Sequence, residues 1–500
     1  MINLEDLSIY REGNRLEVKK ASKGLPKSLW ETYSSFANTL GGVILLGITE
    51  QEDGHFQITG IDRPDLIEKD FWNTIHNAQK VSLNLVKDED VTSFEKDGLI
   101  GIAIKVPRAD RNQKPIYINN NILSGTYRRN HDGDYHCTES EIKNMLRDQS
   151  DVSQDMLVLE EMDLDALDFE CLKRYRNRMA HQKPGHVWEE LDDKSFLYRI
   201  GGIAKGRDGK TLYPTAAGLL MFGYEFEIVK VFPDYFLDYQ EKLDESTRWT
   251  DRIVSTSGEW SGNIFDFYFK VYNKIVQDIK VPFRIENGTD RVDDTPVHKA
   301  LREALANALI HACYYDRMGI VIKKLQDKII IENPGTLRIS KEAALLGGNS
   351  DPRNATIIKM FNLINVGERS GSGVPNIFKV WKNENFDSPE LEERFNPDRT
   401  VLLLPLEKVG AKIGSKNREQ KSGAKIGSKN REQKSGAKTA LRLDEILDYL
   451  SENGESTRVE IETALSLKTS RTGQLLNILV KEGKIQRSGN ARNYVYGIKK

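Results

Sequence analysis

A carboxylate, an amide and an imidazole recur every four residues in the segment PVHKALREALANALIHA, residues 296–312. A helix would align Glu303, Asn307 and His311 along one face, because they stand at i, i+4 and i+8, while intervening leucines mark its buried side. The Asn307 amide oxygen can ligate Mg²⁺ beside phosphates, and the Glu303 carboxylate can polarise an attacking water. The same spacing is common on solvated helix faces, so a further motif must accompany it.

A glycine-rich turn supplies that motif. In GERSGSGVPNIFKVW, Gly371 and Gly373 precede a predicted helix that carries Pro375 in its first turn. Backbone amides at a helix N-terminus that begins with glycines are suited to bind a polyphosphate. Between the helix and this turn lies a predicted strand and turn, KIIIENPGTL. The order of the three elements therefore predicts a phosphate-binding pocket.

These elements resemble, in the same order, the N, G1 and G2 boxes of the GHKL ATPase superfamily of gyrase, histidine kinases and MutL. The closest similarity is to the divergent branch found in proteins with a Schlafen-type AlbA domain. The resemblance implies ATP and Mg²⁺ as ligands, Glu303 as the general base and Asn307 as the Mg²⁺ ligand. It also implies that the turn from Gly371 to Gly373 holds the phosphates.

The G1 box of this chain departs from the superfamily. Where the family has Asp-x-Gly-x-Gly, with the Asp recognising the adenine amino group, this sequence has Glu332, Asn333, Pro334 and Gly335. Adenine recognition would fall to Glu332 or Asn333, and the sequence leaves both open.

The N-terminal strand RLEVKK carries a second candidate site. Strand alternation buries Leu16 and Val18 and turns Glu17 and Lys19 to the other face. A charged strand face of this kind is most often only solvated.

Together, REGNRLEVKK and SFANTLGGVILLGITE resemble the Schlafen AlbA domain, whose hallmark is E-x-K followed by N-x-x-G-G and an apolar strand. The resemblance covers most of residues 10–150. It implies a nuclease site in which Glu12, Glu17 and Glu50 hold Mg²⁺ or Mn²⁺ for phosphodiester cleavage, with Glu50 where the family typically has Asp. The implied phosphate contacts are Lys19, Arg128 and Arg129. Nucleic-acid binding or assembly without cleavage is the alternative for the same fold.

The C-terminal residues predict a winged helix. Two identical copies of the 13-residue unit GAKIGSKNREQKS, residues 410–435, indicate a flexible basic linker before it. Three segments with helical apolar spacing follow, and GKIQRSGNARNYVYGIKK predicts a two-stranded hairpin. The predicted DNA contacts on the recognition helix and wing are Arg471, Gln474, Arg487 and Arg492. A protein-binding role for such a module is the alternative.

Composition sets the broad class. The 500 residues are 38% hydrophobic and 30% charged, and no apolar run approaches the roughly 20 residues that span a bilayer. Because the net charge is −2, nucleic acid would bind local basic patches and not the molecule as a whole. Three isolated cysteines indicate neither a zinc site nor a disulfide framework. The start MINLEDLSIYREG shows no targeting signal, so we expect a cytoplasmic protein without membrane contact.

We therefore predict a multidomain α/β and α+β protein. Its predicted segments are a Schlafen AlbA-type domain at 1–150, a connecting α+β region at 151–290, a GHKL-type ATP-binding domain at 291–408, a linker at 409–438 and a winged helix at 439–500.

The predicted function combines these segments. The N-terminal domain would bind or cut RNA or DNA, ATP-dependent association into a dimer or larger homo-oligomer would gate it, and the winged helix would target it. Such a protein would suit defence against foreign nucleic acid. The alternative is a transcriptional regulator that reads DNA through its winged helix while ATP sets its oligomeric state. A helicase is excluded, since the sequence has no GxxxxGK[ST] loop.

Overall fold

The structure is a computed structural model. It describes residues 13–408 except 23, 52–54, 244–247, 278–283, 287–289, 293–294 and 368–370. Within 446–498 it describes all residues except 448, 452, 465–471, 473–474, 477–478, 481–483 and 489–493. The chain divides into two compact units, residues 1–413 and 414–500. Across these described ranges, every helix is too short or too polar to cross a membrane.

The N-terminal part of the first unit contains the elements β1 Leu16–Lys19, α1 Leu29–Asn38, β2 Gly42–Leu46, β3 Ile48–Glu50, β4 Phe56–Ile58, α2 Pro64–Ile75, β5 Val91–Lys96, β6 Leu99–Val106, β7 Tyr127–Asn130, β8 Gly133–His136 and α3 Glu139–Gln149. Its main sheet has the order β1-β2-β6-β5, with β1 and β2 parallel and the other pairs antiparallel. The pairs β3–β4 and β7–β8 form separate antiparallel ribbons. The strand predicted from RLEVKK and the apolar strand expected after N-x-x-G-G are present as β1 and β2.

The N-x-x-G-G segment forms the tight turn between α1 and β2. The buried Asn38 donates from Nδ2 to the carbonyls of Ile116 and Tyr127, at 2.8 Å and 3.0 Å, and thereby ties α1 to two later segments. Gly41 has φ +70°, and a Cβ there would lie 2.9 Å from the Val106 carbonyl oxygen. The tight turn therefore requires glycine.

The rest of the first unit contains α4 Phe169–Gln182, α5 Asp193–Ile200, β9 Ile203–Lys205, β10 Leu212–Pro214, α6 Ala216–Phe222, α7 Glu225–Val231, β11 Leu237–Lys242, β12 Asp251–Val254, α8 Ile264–Ile275, β13 Arg284–Glu286, β14 Asp290–Val292, α9 Pro296–His311, β15 Ile320–Leu325, β16 Lys328–Pro334, α10 Lys341–Leu346, α11 Ala355–Leu363, α12 Gly373–Asn383, β17 Glu390–Arg394 and β18 Arg399–Pro405.

A six-stranded sheet with the order β12-β11-β15-β16-β18-β17 organises this region. β11 runs parallel to β15, and the other neighbours are antiparallel. The sheet therefore takes two strands from residues 237–254, ahead of the predicted domain border at 290. One continuous apolar core extends from Leu159 to Leu404, so the connecting region and the predicted ATP-binding segment fold together.

Helix α9 packs on one face of this sheet and determines where its polar residues point. Thr295 caps its N-terminus and Pro296 occupies the first turn. Val297, Leu301 and Leu305 are buried, which leaves the predicted polar face directed toward a cleft. Asn354 donates to the carbonyls of Ile310 and Ala312 and so satisfies the helix C-terminus.

The second unit is small and contains β19 Ser456–Thr457, α13 Arg458–Ala464, β20 Ile485–Ser488 and β21 Val495–Ile498. The strands form a sheet of order β19-β21-β20, and β20 and β21 pair antiparallel as the predicted hairpin does. A core of isoleucine, leucine and tyrosine side chains packs beneath it. The linker repeats and much of the predicted recognition helix lie outside the described residues, so the winged helix as a whole stays a prediction.

Buried ion pairs join the N-terminal part to the six-stranded sheet. Arg108 donates to both carboxylate oxygens of Glu393 at 2.6 Å and 2.9 Å, and also to the Leu337 carbonyl. Arg128 donates to both oxygens of Asp398, each at 2.6 Å. Bidentate contacts of this kind, in which two guanidinium nitrogens bind one carboxylate, fix the orientation of the two groups as well as their distance. The two parts are therefore held in one arrangement.

Removing one partner of such a pair should destabilise the first unit. Asp398→Asn would leave the Arg128 guanidinium buried without its main anion, so we expect a loss of about 3–5 kcal/mol in the free energy of unfolding. Glu392→Gln is a matched control, because Glu392 and Arg394 pair with side chains 47% and 54% exposed; a loss below about 1 kcal/mol is expected there. Urea denaturation followed by circular dichroism measures both, and equal losses would contradict the prediction.

Candidate nucleotide-binding site

A cleft opens between α9, α12 and the strands β16 and β18. Residues from all three predicted motifs line it, namely Glu303, Asn307 and His311 from α9, Asn333 from β16, and Gly371 and Gly373 from the glycine turn. Apolar side chains such as Ile331, Ile377 and Leu402 cover the remaining walls. The structure thus brings together motif residues that lie up to 70 positions apart in the chain, from Glu303 to Gly373.

The start of α12 lies directly against the carboxylate and amide of α9. Asn307 Nδ2 donates to Glu303 Oε1 at 3.2 Å. A Cβ at Gly373 would lie 2.2 Å from Glu303 Oε1 and 2.9 Å from Asn307 Nδ2, so a larger residue here would displace these two side chains. A helix N-terminus beside a carboxylate and an amide can bind a polyphosphate together with its cation.

Gly371 shapes the turn that leads into α12. It has φ +68°, and a Cβ there would lie 2.6 Å from the Asn349 carbonyl oxygen. Its own carbonyl accepts a hydrogen bond from Gly348 N at 3.3 Å. The turn is therefore packed against the segment that follows α10, while residues 368–370 of the same motif lie outside the described range.

The structure separates the two candidates for adenine recognition. Asn333 is buried on the face of β16 that lines the cleft, opposite Thr400 of β18. Glu332 points to the other face, where its oxygens lie 3.0 Å from Lys323 Nζ and 3.3 Å from Arg399 Nε. Of the two, only Asn333 presents a polar group to the cleft.

Gly335 lies behind the cleft wall and not in the cleft. Its φ is +91°, and a Cβ there would lie 3.0 Å from the guanidinium carbon of Arg353 and 3.1 Å from Cys313 Cβ. The glycine of the G1 segment thus permits close packing against Arg353. As part of the G1 box, Gly335 was also expected to contact ATP, and this placement does not support that contact.

Sequence reasoning missed two arginines in the cleft wall, Arg338 and Arg353. Both donate to Asp148 at the end of α3, at 2.9 Å and 2.7 Å for the shortest contacts. Although burial alone would raise it, these two arginines hold the pKa of Asp148 at about 2. Isolated arginines and an aspartate more than 180 positions away carry no recognisable sequence motif.

His311 is held in its neutral form. Burial, assisted by the neighbouring Arg353 and Arg338, lowers the pKa of His311 to about 4. The imidazole therefore carries no charge at neutral pH and lines the cleft as a polar, uncharged group.

In the N-terminal part, the predicted catalytic Glu17 is engaged in ion pairs. Glu17 Oε1 accepts from Lys19 Nζ at 2.7 Å, and Oε2 accepts from Arg129 Nη2 at 2.7 Å. Arg129 also donates to Asp134 at 3.0 Å, and Asp134 in turn accepts from Thr32 at 2.6 Å. The side chain of Arg129 is fully buried, so the structure does not present it to a nucleic acid.

Two other predicted groups of this site, Arg128 and Glu50, take no part in the ion pairs of Glu17. Arg128 is committed to Asp398 and Glu141, which leaves its guanidinium facing the six-stranded sheet. Glu50 is exposed at the end of β3, and Glu12 lies outside the described residues. In the described part of the chain, a group of three metal-ligating side chains occurs at Asp168, Cys171 and Asp266 and does not include Glu17 or Glu50.

That aspartate and cysteine group has structural roles. Asp168 caps α4 by accepting from the amides of Glu170 and Cys171. Asp266 accepts from Arg174 at 2.7 Å, and burial raises the pKa of the Cys171 thiol far above its usual range. A protonated thiol and an arginine beside the carboxylates do not suit a cation.

Of the predicted DNA contacts in the second unit, Arg487 on β20 is described. Its guanidinium lies 4.2 Å from the centre of the Tyr494 ring. Arg471, Gln474 and Arg492 lie outside the described residues.

Comparison with protein families gives matches to three parts of the chain. Residues 12–138 match the family described as Schlafen, AlbA_2. Residues 318–402 match the family HATPase_c_4, described as "Putative ATP-dependent DNA helicase recG C-terminal". Residues 143–238 match a domain of unknown function, DUF8451. The first two matches confirm the predicted pairing of a Schlafen-type AlbA domain with an ATPase-like domain.

Two solved structures are similar to this chain. The DIP2311 protein from Corynebacterium diphtheriae is 16% identical, with 97% of this chain and 95% of that chain covered and a TM-score of 0.39. The N-terminal domain of a RecG-related protein from Nitrosomonas europaea is 29% identical, with 27% of this chain and 90% of that chain covered and a TM-score of 0.21. None of the curated proteins compared matches this chain.

Because His311 is neutral in the folded protein, the free energy of unfolding should decrease in mildly acidic solution. Because its folded pKa of about 4 lies below the ordinary value of 6.5, the contribution is complete above pH 6.5 and declines as the pH falls toward 4. We expect the urea midpoint of the wild type to fall between pH 7 and pH 5. His311→Gln, which keeps a polar uncharged group, should flatten this dependence, and an unchanged slope in the variant would contradict the assignment.

Proposed function

The chain combines a Schlafen AlbA_2 domain at residues 12–138 with an ATPase-like domain at residues 318–402, and from this combination we propose an ATP-binding protein that acts on nucleic acid under nucleotide control. The description of the family that matches residues 318–402 contains the word helicase. This chain lacks the GxxxxGK[ST] loop of helicase motors, so the proposed role of ATP is to switch and not to unwind.

One observation carries the proposal: Glu303, Asn307, Gly373 and Asn333 line a single cleft. The start of α12 provides a site for phosphates beside Glu303 and Asn307. Asn333 provides a base contact at the buried side of β16. Its Nδ2 lies 3.4 Å from the Pro334 carbonyl, to which it donates, so its Oδ1 can accept from an amino group such as that of adenine.

The side chains also fit a magnesium ion carried with the nucleotide. Since Asn307 Nδ2 donates to Glu303, Asn307 Oδ1 is left to ligate the cation. The ion would supply charge neutralisation for the phosphates. Glu303 would accept the proton of an attacking water if the nucleotide is hydrolysed.

Metal-dependent cleavage of RNA or DNA is the second candidate function. The pair of Glu17 and Lys19 on β1 favours it, because a carboxylate beside an ammonium can hold a metal and a phosphate together. Glu12 and Glu50 would complete the ligand set. Without cleavage, the same domain would bind nucleic acid as part of an ATP-responsive transcriptional regulator.

The remaining elements complete the proposal. A C-terminal winged helix would contact DNA, and ATP would drive association into a dimer or larger homo-oligomer. Such an ATP-gated protein, acting in the cytoplasm, would suit defence against foreign nucleic acid. The resemblance to the GHKL superfamily supports the ATP-driven association, and the antiparallel pair of β20 and β21 supports the winged helix.

Nucleotide binding should depend on Asn307. Asn307→Ala removes the proposed metal ligand, so we expect Mg²⁺-dependent ATP binding to weaken roughly 10- to 100-fold, or ~1.4–2.7 kcal/mol. Lys299→Ala, on the same helix but away from the cleft, is the matched control and should bind as the wild type does. Isothermal titration calorimetry of the full chain decides the matter; wild-type protein that binds no ATP would refute the proposal.

Nuclease activity should depend on Glu17. We expect the wild type to cleave tRNA, single-stranded DNA or duplex DNA with Mn²⁺ or Mg²⁺, and Glu17→Ala to lose cleavage because the metal loses a ligand. Glu95→Ala, an acid on the partly exposed β5, is the control and should cleave normally. Cleavage that persists in Glu17→Ala, or no cleavage by the wild type with or without ATP, would exclude the nuclease and leave the binding function.

A further inference from the structure

We propose that Asp148 is a positioning residue of the nucleotide cleft: it fixes, from outside the six-stranded sheet, the two arginines that form one wall of the cleft. This inference rests on the proposed binding of ATP. Asp148 belongs to α3 and to the segment 143–238, whose matched family has no known function. The inference gives one residue of that segment a role in nucleotide binding.

The contacts of Asp148 are specific. Oδ1 accepts from Arg338 Nη2 at 2.9 Å and from Arg353 Nε at 3.0 Å, and Oδ2 accepts from Arg353 Nη2 at 2.7 Å. The side chains of Arg338 and Arg353 are 5% and 3% exposed. One carboxylate therefore binds two nearly buried guanidinium groups, and Asp351, 3.5 Å from Arg338 Nη1, is a second and more distant anion for one of them.

The two arginines in turn hold the cleft wall. Arg353 donates to the carbonyls of His311 and Thr336, each at 2.8 Å, and so joins the end of α9 to the segment after β16. Arg338 donates to the Pro352 carbonyl at 3.2 Å. His311, Thr336 and both arginines line the cleft. Displacement of either arginine would thus move backbone that borders the ligand.

This wall lies at the base end of the cleft. His311 follows Glu303 by eight residues, which is about 12 Å along a helix. Thr336 is three residues beyond Asn333, the proposed base contact. The phosphates would lie at the other end, beside Glu303 and Gly373. They therefore cannot neutralise the charge of the two arginines when Asp148 is removed.

A second contact reinforces the connection with the N-terminal part. Arg111 donates to the carbonyls of Asp148 and Ser150, at 2.8 Å and 3.1 Å, and its Nε pairs with Asp351. Asp351 also borders the cleft. The end of α3 is therefore anchored to the N-terminal part and to the cleft wall at once, and Asp148 lies where the two meet.

The test is ATP binding by the full chain, measured by calorimetry with Mg²⁺. Asp148→Asn should bind ATP about tenfold more weakly than the wild type, because two like charges at the base end lose their shared anion. Tripolyphosphate, which has no base, should bind both proteins equally. Asp148→Glu keeps the charge and should recover most of the affinity for ATP; a folded Asp148→Glu protein that binds ATP tenfold more weakly than the wild type would contradict the inference.

Asp398→Asn is the matched control. It breaks an arginine pair at the same junction but does not border the cleft, so ATP affinity should stay within about twofold of the wild type. Equal ATP affinity of Asp148→Asn and wild type, or an equal loss for tripolyphosphate, would overturn the inference alone. Wild-type protein that binds no ATP would overturn the proposed function and the inference together.

Discussion

Arginines buried between the N-terminal part and the six-stranded sheet must be neutralised where water cannot do so. Arg108, Arg128 and Arg353 each pair with a carboxylate from the other side of this junction. These three arginine side chains are at most 17% exposed. A buried charge without a partner costs several kcal/mol, so each pair tolerates little displacement. The junction between the sheet and the N-terminal domain therefore depends on one set of charge pairs.

This requirement changes how basic residues of the N-terminal domain are understood. Arg128 and Arg129 are consecutive on β7, so strand alternation sends them to opposite faces. One face meets Asp398 of the sheet, and the other meets Glu17 and Asp134. Both faces of the strand are covered, and neither arginine reaches solvent in the way a phosphate contact needs. A sequence cannot distinguish a buried arginine from an exposed one, since the difference lies in distant acids.

The nucleotide cleft was largely predictable, because its motifs are local. Periodicity placed Glu303 and Asn307 on one face of α9, and the glycines before α12 marked a helix start. The alternation of side chains along KIIIENP also distinguishes Glu332 from Asn333 as the residue that faces the cleft. Asn333 shares a face with the buried Ile329 and Ile331, whereas Glu332 does not. The extent of the sheet was not predictable, because β11 and β15 are neighbours in the sheet although 77 residues separate them in the chain, and alternation within one strand does not identify a distant partner.

The same electrostatics constrain how the N-terminal site would bind a metal. Glu17 shares its two oxygens between Arg129, which is fully buried, and Lys19, whose side chain is 10% exposed. Arg129 is held by a second carboxylate, by the Gly13 carbonyl and by the ring of Phe36, so it cannot leave without unpairing several groups. Lys19 has a flexible stem and donates to one carboxylate oxygen, Glu17 Oε1. A metal ion would therefore displace the ammonium from Oε1 and leave the guanidinium on Oε2, where it would orient the carboxylate.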